Sequence, residues 1–355
     1  MTRTILASLA LALLAAAAAL AGPHLSGDSY GPYAGKPDGW FASDEGRRMA
    51  DNILSFQLPH GGWSKGMDTV SGPHHPGQPK SIYSKGQGTF DDDATTSQMW
   101  FLARAYNATR DPRYREGFLR GADYILKAQY PSGGWPQVYP VSSNQRNYHN
   151  YVTYNDGAIV HLMEIINAIT NDSRFEFVDA KRVAALRAAF ERGLDYILKS
   201  QIRVKGRLTA WCQQHDPVTY EPRPGRSYEH VSLVSAESAG ILSFLVSLPH
   251  KTPATEQAIE AGVAWLREVK IDGYRRDNVN GLQALVADHQ AHVWARFYEI
   301  GTNRPIFSDR DGAIKYSIEE IGPERRNGYA WYTNAPDRVF RLLAGNRDSP
   351  PPRLK

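Results

Sequence analysis

Consecutive carboxylates are the first residues in this chain whose spacing indicates chemistry. Three aspartates at 91–93 stand directly before Ala94, where a helix is predicted to begin, and Asn155-Asp156 begins the next inserted helix. Adjacent carboxylates repel one another unless water or a cation neutralises them, and their hard oxygen atoms suit Ca²⁺ or Mg²⁺. Helix capping is the alternative, and it accounts for one carboxylate without a metal. If the loops converge, the two acidic positions come together.

Arginine side chains are the second chemical signal. Arg223 and Arg226 lie in one long loop, EPRPGRSYEH, whereas Arg296 lies in VWARFYEI and Arg310 in FSDRDG. A guanidinium group near aromatic rings is suited to bidentate capture of a substrate carboxylate. A solvated surface position is the alternative for each arginine taken singly. The mild net charge of +4 is compatible with an anionic substrate and does not indicate nucleic acid as a partner.

Aromatic residues near predicted helix ends and in the long loops are candidates for stacking on sugar rings. They are Trp63, Trp135, Trp211, Tyr139 and Tyr228. The alternative is that such residues pack in the core and cover the ends of the helices. The histidines lack HExxH spacing, and the chain has no G-x-S-x-G elbow, Walker loop or dinucleotide fingerprint. The only cysteine, Cys212, excludes an intrachain disulfide and a thiolate metal cluster.

A repeat with a period of 72 residues predicts the elements that position these side chains. Its copies are ADNILSFQLPHGGW at 50–63, ADYILKAQYPSGGWPQ at 122–137 and LDYILKSQ at 194–201. Each copy has an apolar helical stretch that ends at Gln, and the first two continue into a Gly-Gly break followed by Trp. A decayed fourth copy of the helix is predicted at 262–269, about 69 residues after the third.

Further apolar stretches with helical spacing alternate with the repeated helices, and one of them is predicted at 293–300. About four helix pairs between residues 40 and 345 predict an all-α fold, an α/α toroid or incomplete α/α barrel with long loops at one rim. A plain solenoid is the alternative. The connections at 64–90 and 202–230 are expected to carry function, and they leave room for a few short strands.

The chain ends and the composition predict a secreted protein with a sizeable core. Residues 1–21 combine Arg3, an apolar run and an A-x-A site, which is typical of a cleavable secretory signal, with an uncleaved membrane anchor as the alternative. We therefore expect a secreted or periplasmic monomer without membrane contact after cleavage. The predicted organisation is a signal peptide at 1–21, an N-terminal extension at 22–39, a single catalytic domain at 40–345 and a flexible tail at 346–355.

Seven ordered blocks, taken together, carry a family resemblance. They are FDDDATTSQ (90–98), GGWPQVYP (133–140), VTYNDG (152–157), WCQQHD (211–216), RSYEHVSL (226–233), WARFYEIGTNRPIF (294–307) and RRNGYAWY (325–332). In these blocks the chain resembles the family 10 polysaccharide lyases, pectate lyases with an α/α toroid, from about residue 40 to 345. The resemblance implies Ca²⁺-assisted β-elimination of α-1,4-linked polygalacturonate, which leaves a 4,5-unsaturated uronide at the new non-reducing end.

The resemblance also implies roles for particular residues. Arg226 matches the base that takes the C5 proton, and Arg296 and Arg310 match positions that hold substrate carboxylates. The remaining expected substrate-binding residues are Arg223, Tyr228, Lys65 and Trp135, and the expected Ca²⁺ ligands are Asp91, Asp92 and Asp156. An arginine base needs a lowered pKa, and we expect desolvation and clustered positive charge to lower it.

Rival functions stay open at the level of sequence. An inverting glycoside hydrolase of α/α-toroid fold would use two carboxylates, for instance Asp156 and Glu229. A non-catalytic uronan-binding protein is a second alternative. Triterpene cyclases share the Q-x₃-G-x-W pattern found at 57–63 and 129–135, but the short chain and its signal peptide disfavour them.

Overall fold

The computed structural model describes residues 30–83 and 85–345. The predicted signal peptide at 1–21, residues 22–29 of the predicted extension and the tail at 346–355 lie outside the described residues, so these predictions are not tested. Within the described ranges, every helix is too short or too polar to cross a bilayer.

Nine α-helices occur in the described part of the chain. Their bounds are α1 Asp44–Ser55, α2 Thr96–Thr109, α3 Pro112–Ala128, α4 Ala158–Asn171, α5 Ala180–Lys199, α6 Ser235–Ser247, α7 Pro253–Glu268, α8 Pro323–Asn327 and α9 Pro336–Leu343. Helices α2 and α3, α4 and α5, and α6 and α7 pack as pairs. One row contains α2, α4, α6 and α9, and the other contains α1, α3, α5 and α7.

The two rows of helices begin differently. Side chains cap the N-termini of α1, α3, α5 and α7, through Ser43, Asp111, Asp179 and Thr252. Each cap accepts a backbone N–H that the helix itself leaves unpaired. By contrast, α2, α4 and α6 begin without a side-chain cap. The starts of α2 and α4 directly follow the two acidic positions.

The repeat builds the same tryptophan contact four times. An indole N–H donates to a carbonyl in the preceding helix, over 2.7 to 2.9 Å. The pairs are Trp63 with Ile53, Trp135 with Ile125, Trp211 with Ile197 and Trp294 with Leu266. Leu266 lies in the predicted fourth copy, which the structure confirms as the end of α7.

The repeated glutamines act as clamps between neighbouring helices. The Gln57 amide donates to Gly61 and Gly117, each over 2.8 Å, and Gln129 donates to Gly133 and Ala189 over the same distance. Gln201 continues the pattern by donating to Thr209 and Ala258. Each clamp joins the break after one helix to the next helix of the same row. The positions that recur in the sequence are therefore largely architectural.

Strands form six antiparallel sheets in the described part of the chain. Their bounds are β1 Gly88–Thr89, β2 Val138–Tyr139, β3 Val152–Thr153, β4 Arg203–Val204, β5 Arg207–Leu208, β6 Gln214–His215, β7 Pro222–Arg223, β8 Leu233–Val234, β9 Ile271–Val279, β10 Leu282–Ala295, β11 Phe297–Tyr298, β12 Phe307–Ser308, β13 Ile314–Lys315 and β14 Tyr332–Thr333. The pairings are β1 with β2, β3–β6–β7, β4 with β5, β8 with β11, β9–β10–β14 and β12 with β13.

The prediction of an all-α toroid is wrong. The structure is 45% helix and 16% strand, and the strands make several antiparallel sheets. The segment predicted as a helix at 293–300 is instead the end of β10 followed by β11. A short apolar run such as this one is buried whether it is a strand or a helix, so its periodicity does not distinguish the two.

Candidate active site

The structure brings the two acidic positions of the sequence together. Asp91, Asp92 and Asp156 each offer one carboxylate oxygen, and these oxygens lie within 4.8 Å of one another. The aspartates belong to two short 3₁₀ segments, Asp91–Asp93 and Asn155–Gly157, which contact each other. We refer to Asp91, Asp92 and Asp156 as the acidic group.

Both turns that carry the acidic group adopt the same unusual backbone conformation. Asp92 has φ 50° and Asp156 has φ 49°, in the left-handed region that aspartate tolerates better than most residues. Thr95 is more strained, with φ 70° and ψ −54°. Its hydroxyl donates to the Thr89 carbonyl and accepts the Trp63 backbone N–H, over 2.9 and 3.0 Å. A residue of the repeat thus helps to hold the acidic turn in place.

Asp91 is the buried member of the acidic group, with 2% of its surface exposed. Its Oδ2 atom forms a close ion pair with Lys65 and accepts the Gln137 amide over 2.7 Å. Lys65 also lies 3.1 Å from Asp92. Burial by itself lowers the pKa of Lys65, but the charge and hydrogen bond of Asp91 outweigh it, so the net pKa is raised. Lys65 is therefore a firmly charged ammonium group.

Asp156 is the member of the acidic group that faces the arginines. Its Oδ1 atom lies 3.9 Å from Arg296 Nη2. Although 41% of its side-chain surface is exposed, desolvation by the surrounding protein raises the pKa of Asp156 above its usual value. Arg296 opposes this rise, while the charges of Asp91 and Glu237 add to it. Burial and the neighbouring carboxylates thus oppose ionisation of Asp156, whereas Arg296 favours it.

The donor set of the acidic group fits a divalent cation. Three carboxylates supply hard oxygen ligands at one point, as Ca²⁺ prefers. The buried Asp91 Oδ1 atom has no hydrogen-bond partner among the described residues. A buried carboxylate oxygen without a partner is costly, and a cation would satisfy it.

Four guanidinium groups surround a pair of tyrosine rings beside the acidic group. The rings of Tyr228 and Tyr329 have centroids 5.4 Å apart. The guanidinium carbon lies 5.0 Å from the Tyr228 ring centroid in Arg226, 4.8 Å in Arg325 and 6.0 Å in Arg310. The guanidinium carbon of Arg296 lies 4.7 Å from the Tyr329 ring centroid. We call these four residues the arginine cluster. Guanidinium groups over aromatic faces are attracted by the ring quadrupoles.

Arg226 is held by a carboxylate rather than surrounded only by positive charge. Glu229 accepts the Arg226 backbone N–H over 2.8 Å and its Nε–H over 2.9 Å, and pairs closely with Nη2. The Tyr329 hydroxyl also donates to Glu229, over 2.8 Å. Burial lowers the pKa of Arg226, but the hydrogen bond and charge of Glu229 outweigh it, so the pKa is raised. The expected lowering of this pKa is not present in the free protein.

Arg296 joins the arginine cluster to the acidic group through a buried polar network. Its Nη2 atom pairs closely with Glu237 and donates to Asn155 Oδ1 over 3.1 Å. The Gln213 amide donates to the same Asn155 oxygen over 2.8 Å and to Glu237 over 3.0 Å. Arg296 is thereby fixed in orientation next to Asp156.

The acidic group and the arginine cluster meet at Arg296. Its Nη2 atom lies 3.9 Å from Asp156 Oδ1 and donates to the neighbouring Asn155. The acidic group and the arginine cluster therefore belong to a single site.

The other predicted substrate-binding residues have different surroundings. Arg310 is 65% exposed and pairs with Glu324 over 2.9 Å, and Tyr228 is buried with 4% of its surface exposed. Arg223 forms an ion pair with Asp216, in which Nη2 lies 3.0 Å from Oδ2. Trp135 is 1% exposed, so its ring faces are covered and it belongs to the core. Neither Arg223 nor Trp135 joins the acidic group or the arginine cluster.

Five residues of the site were not assigned from the sequence: Gln137, Gln213, Glu237, Arg325 and Tyr329. The two glutamines and Arg325 lie within the quoted blocks GGWPQVYP, WCQQHD and RRNGYAWY. Glu237 is 5% exposed in α6. A glutamate within the small and apolar stretch SAESAGILSFL was the available signal, because a buried charge requires a partner.

Comparison with known proteins finds one matching family model and similar solved structures. A family model described as pectic acid lyase matches residues 57–340. One similar structure is a mutant of the family 10 polysaccharide lyase from Cellvibrio cellulosa, solved in complex with trigalaturonic acid. Its sequence is 32% identical and its TM-score is 0.77, and the match covers 88% of this chain and 95% of that chain. A second structure of the Cellvibrio cellulosa enzyme is 33% identical with a TM-score of 0.76, and the match covers 88% of this chain and 98% of that chain. No curated protein matches this chain significantly.

Proposed function

Because this chain belongs to the pectic acid lyase family, the family 10 polysaccharide lyases, we propose that it cleaves α-1,4-linked polygalacturonate by β-elimination assisted by Ca²⁺. The products would be 4,5-unsaturated oligogalacturonides. The complex of the related Cellvibrio enzyme with trigalaturonic acid supports a pectic oligosaccharide as substrate. We further propose, on the basis of residues 1–21 alone, that the protein is secreted or periplasmic, and we expect it to be a monomer.

The observation that carries this proposal is the contact between the acidic group and the arginine cluster. Asp156 Oδ1 and Arg296 Nη2 lie 3.9 Å apart. A sugar carboxylate placed at this contact meets a fixed guanidinium group on one side and the metal ligands on the other. Arg296 is oriented by Glu237 and Asn155, so it loses little freedom when it binds the carboxylate.

Asp91, Asp92 and Asp156 would hold the Ca²⁺ ion. When bound, Ca²⁺ supplies positive charge that stabilises the negative charge developing on the C6 carboxylate as the C5 proton leaves. The protein contributes fixed positions, since the acidic turns are anchored to the repeat through Thr95 and Trp63. Arg296 adds a second positive charge on the same carboxylate.

Arg226 is the proposed acceptor of the C5 proton. Glu229 orients the guanidine plane through three contacts, but it also favours the charged form. Arg325 acts in the opposite direction, because the two arginines repel each other electrostatically. Proton acceptance therefore requires that positive charge in the substrate-loaded site outweigh the effect of Glu229.

The test follows ultraviolet absorbance during digestion of polygalacturonate. A β-elimination product is conjugated and absorbs, so absorbance that rises with Ca²⁺ and stops on adding EGTA supports the proposal. Arg226→Ala should reduce this rate by a factor of about 10² or more, as for loss of a general base, and Arg226→Lys should also fail. Arg304→Ala is the matched control, because this exposed arginine stacks on Tyr316 and lies outside the arginine cluster. Near-normal elimination by Arg226→Ala would show that the base is a different residue.

Family membership makes the protein a polysaccharide lyase, which disfavours the alternative of a non-catalytic uronan-binding protein.

The geometry also disfavours an inverting hydrolase that uses Glu229. Glu229 is 2% exposed, and its two oxygens are engaged by Arg226 and Tyr329. A general base that activates water needs an oxygen facing that water.

A further inference from the structure

The Lys65 ammonium group lies inside the acidic group. It pairs closely with Asp91 Oδ2 and lies 3.1 Å from Asp92 Oδ2, so it contacts two of the three proposed metal ligands. Its side chain is 26% exposed, which leaves it a route towards the open side of the site. A lysine thus neutralises two of the carboxylates that we assign to Ca²⁺.

The backbone around Lys65 is anchored while its side chain is long. The preceding Trp63 is held by its indole contact with Ile53 and by the Thr89 N–H, which donates to the Trp63 carbonyl over 2.9 Å. The ammonium group is a compact point charge on a flexible four-carbon stem. Lys65 is therefore tethered next to the acidic group but can withdraw from it by side-chain rotation.

Lys65 and a divalent cation would compete for the same carboxylates. The ammonium group contacts Oδ2 of both Asp91 and Asp92, which are two of the three proposed metal ligands. A divalent cation bound there without displacement of Lys65 would lie next to the ammonium group. Like charges at such short range repel strongly within a partly buried site.

We propose that Lys65 is a tethered competitor that occupies the Ca²⁺ ligands of the free enzyme. Calcium then binds with full affinity only when carboxylates of the substrate draw the ammonium group away. Calcium and pectic substrate strengthen each other's binding by the same factor, because coupling between two ligands is reciprocal. The inference rests on the proposed function, since it requires the acidic group to be the calcium site.

The experiment is isothermal titration of the full protein with CaCl₂ in the absence of any saccharide. The variants are Lys65→Met, which keeps the length of the side chain without its charge, and Lys65→Gln, which keeps a hydrogen-bond donor for Asp91 and decides the test if Lys65→Met does not fold. The matched control is Lys315→Met, because Lys315 is also held by two aspartates, at 3.0 Å from Asp309 and 3.9 Å from Asp311, outside the acidic group. The shift of the melting temperature with CaCl₂ provides a second readout.

We expect the Lys65 variants to bind calcium about tenfold or more tightly than the wild type, and Lys315→Met to match the wild type within about twofold, as for a distant charge. Equal or weaker calcium binding by the Lys65 variants overturns the inference. If elimination by the wild type is nevertheless calcium-dependent, the proposed function stands and only the role of Lys65 fails. Failure of every protein to bind calcium, together with elimination that resists EGTA, overturns both.

Discussion

Replacing His215 tests how the loop before Arg226 is stabilised. His215 is completely buried in β6. The Cys212 N–H donates to its Nε2 atom over 2.9 Å, and its Nδ1–H donates to the Tyr220 carbonyl over 2.8 Å. This pattern requires the neutral ring, with the proton on Nδ1. Protonation at Nε2 would break the bond to Cys212.

The expected effect follows from the shift in the pKa of His215. Burial lowers this pKa from 6.5 to about 4, against a smaller rise caused by the Tyr220 carbonyl. Because the folded-state value lies below the unfolded value, the stabilisation is fully present above pH 6.5 and is lost as the pH falls towards 4. From pH 7.5 to 4.5, the loss amounts to about 2.5 kcal/mol for a fully buried group.

The assay compares urea unfolding of the wild type and His215→Asn at several pH values. The difference in unfolding free energy between the two proteins should shrink by about 2.5 kcal/mol between pH 7.5 and 4.5, because asparagine does not titrate. Taking this difference removes the titration of all other groups. The exposed His250→Asn variant is the control. A difference that stays constant over this range would refute the neutral, buried state of His215.

Three further predictions concern the scaffold and the site. Trp135→Phe removes the indole bond to Ile125 and should lower the unfolding free energy in urea by about 1 to 3 kcal/mol; an unchanged value would contradict the role of this contact. Glu237→Gln leaves the Arg296 guanidinium without its charged partner, so KM for polygalacturonate should rise about tenfold or more while circular dichroism stays native; an unchanged KM would contradict the positioning role. Asp156→Ala should abolish the rise in melting temperature with CaCl₂, because it removes the ligand oxygen, and a retained rise would exclude Asp156 as a ligand.

The repeat allowed much of the helical scaffold to be predicted. A period of 72 residues identifies the helix ends that carry Gln and Trp, and the structure uses both residue types as clamps at corresponding places. Even the decayed copy at 262–269 keeps the tryptophan contact, through Leu266 and Trp294. Such contacts are local in the chain or recur between neighbouring copies, so they leave a periodic trace in the sequence.

The strands could not be predicted in the same way. Most strands have two residues, and their pairing partners come from distant loops, as β3 pairs with β6 and β8 with β11. Two residues are too few to show alternation. The longer hairpin of β9 and β10 leads into an apolar run whose burial resembles that of a helix. These are the reasons why an all-α fold was predicted.

By itself, the sequence determined the residue types of the site and the family, because acidic blocks, arginines and ordered motifs are properties of the chain. Only the tertiary structure decided which charge faces which. It places Lys65 against Asp91, Glu229 against Arg226 and Glu237 against Arg296, at separations of 26, 3 and 59 residues. The ionisation of each group depends on its nearest charged partner and on its burial, and both are set by folding.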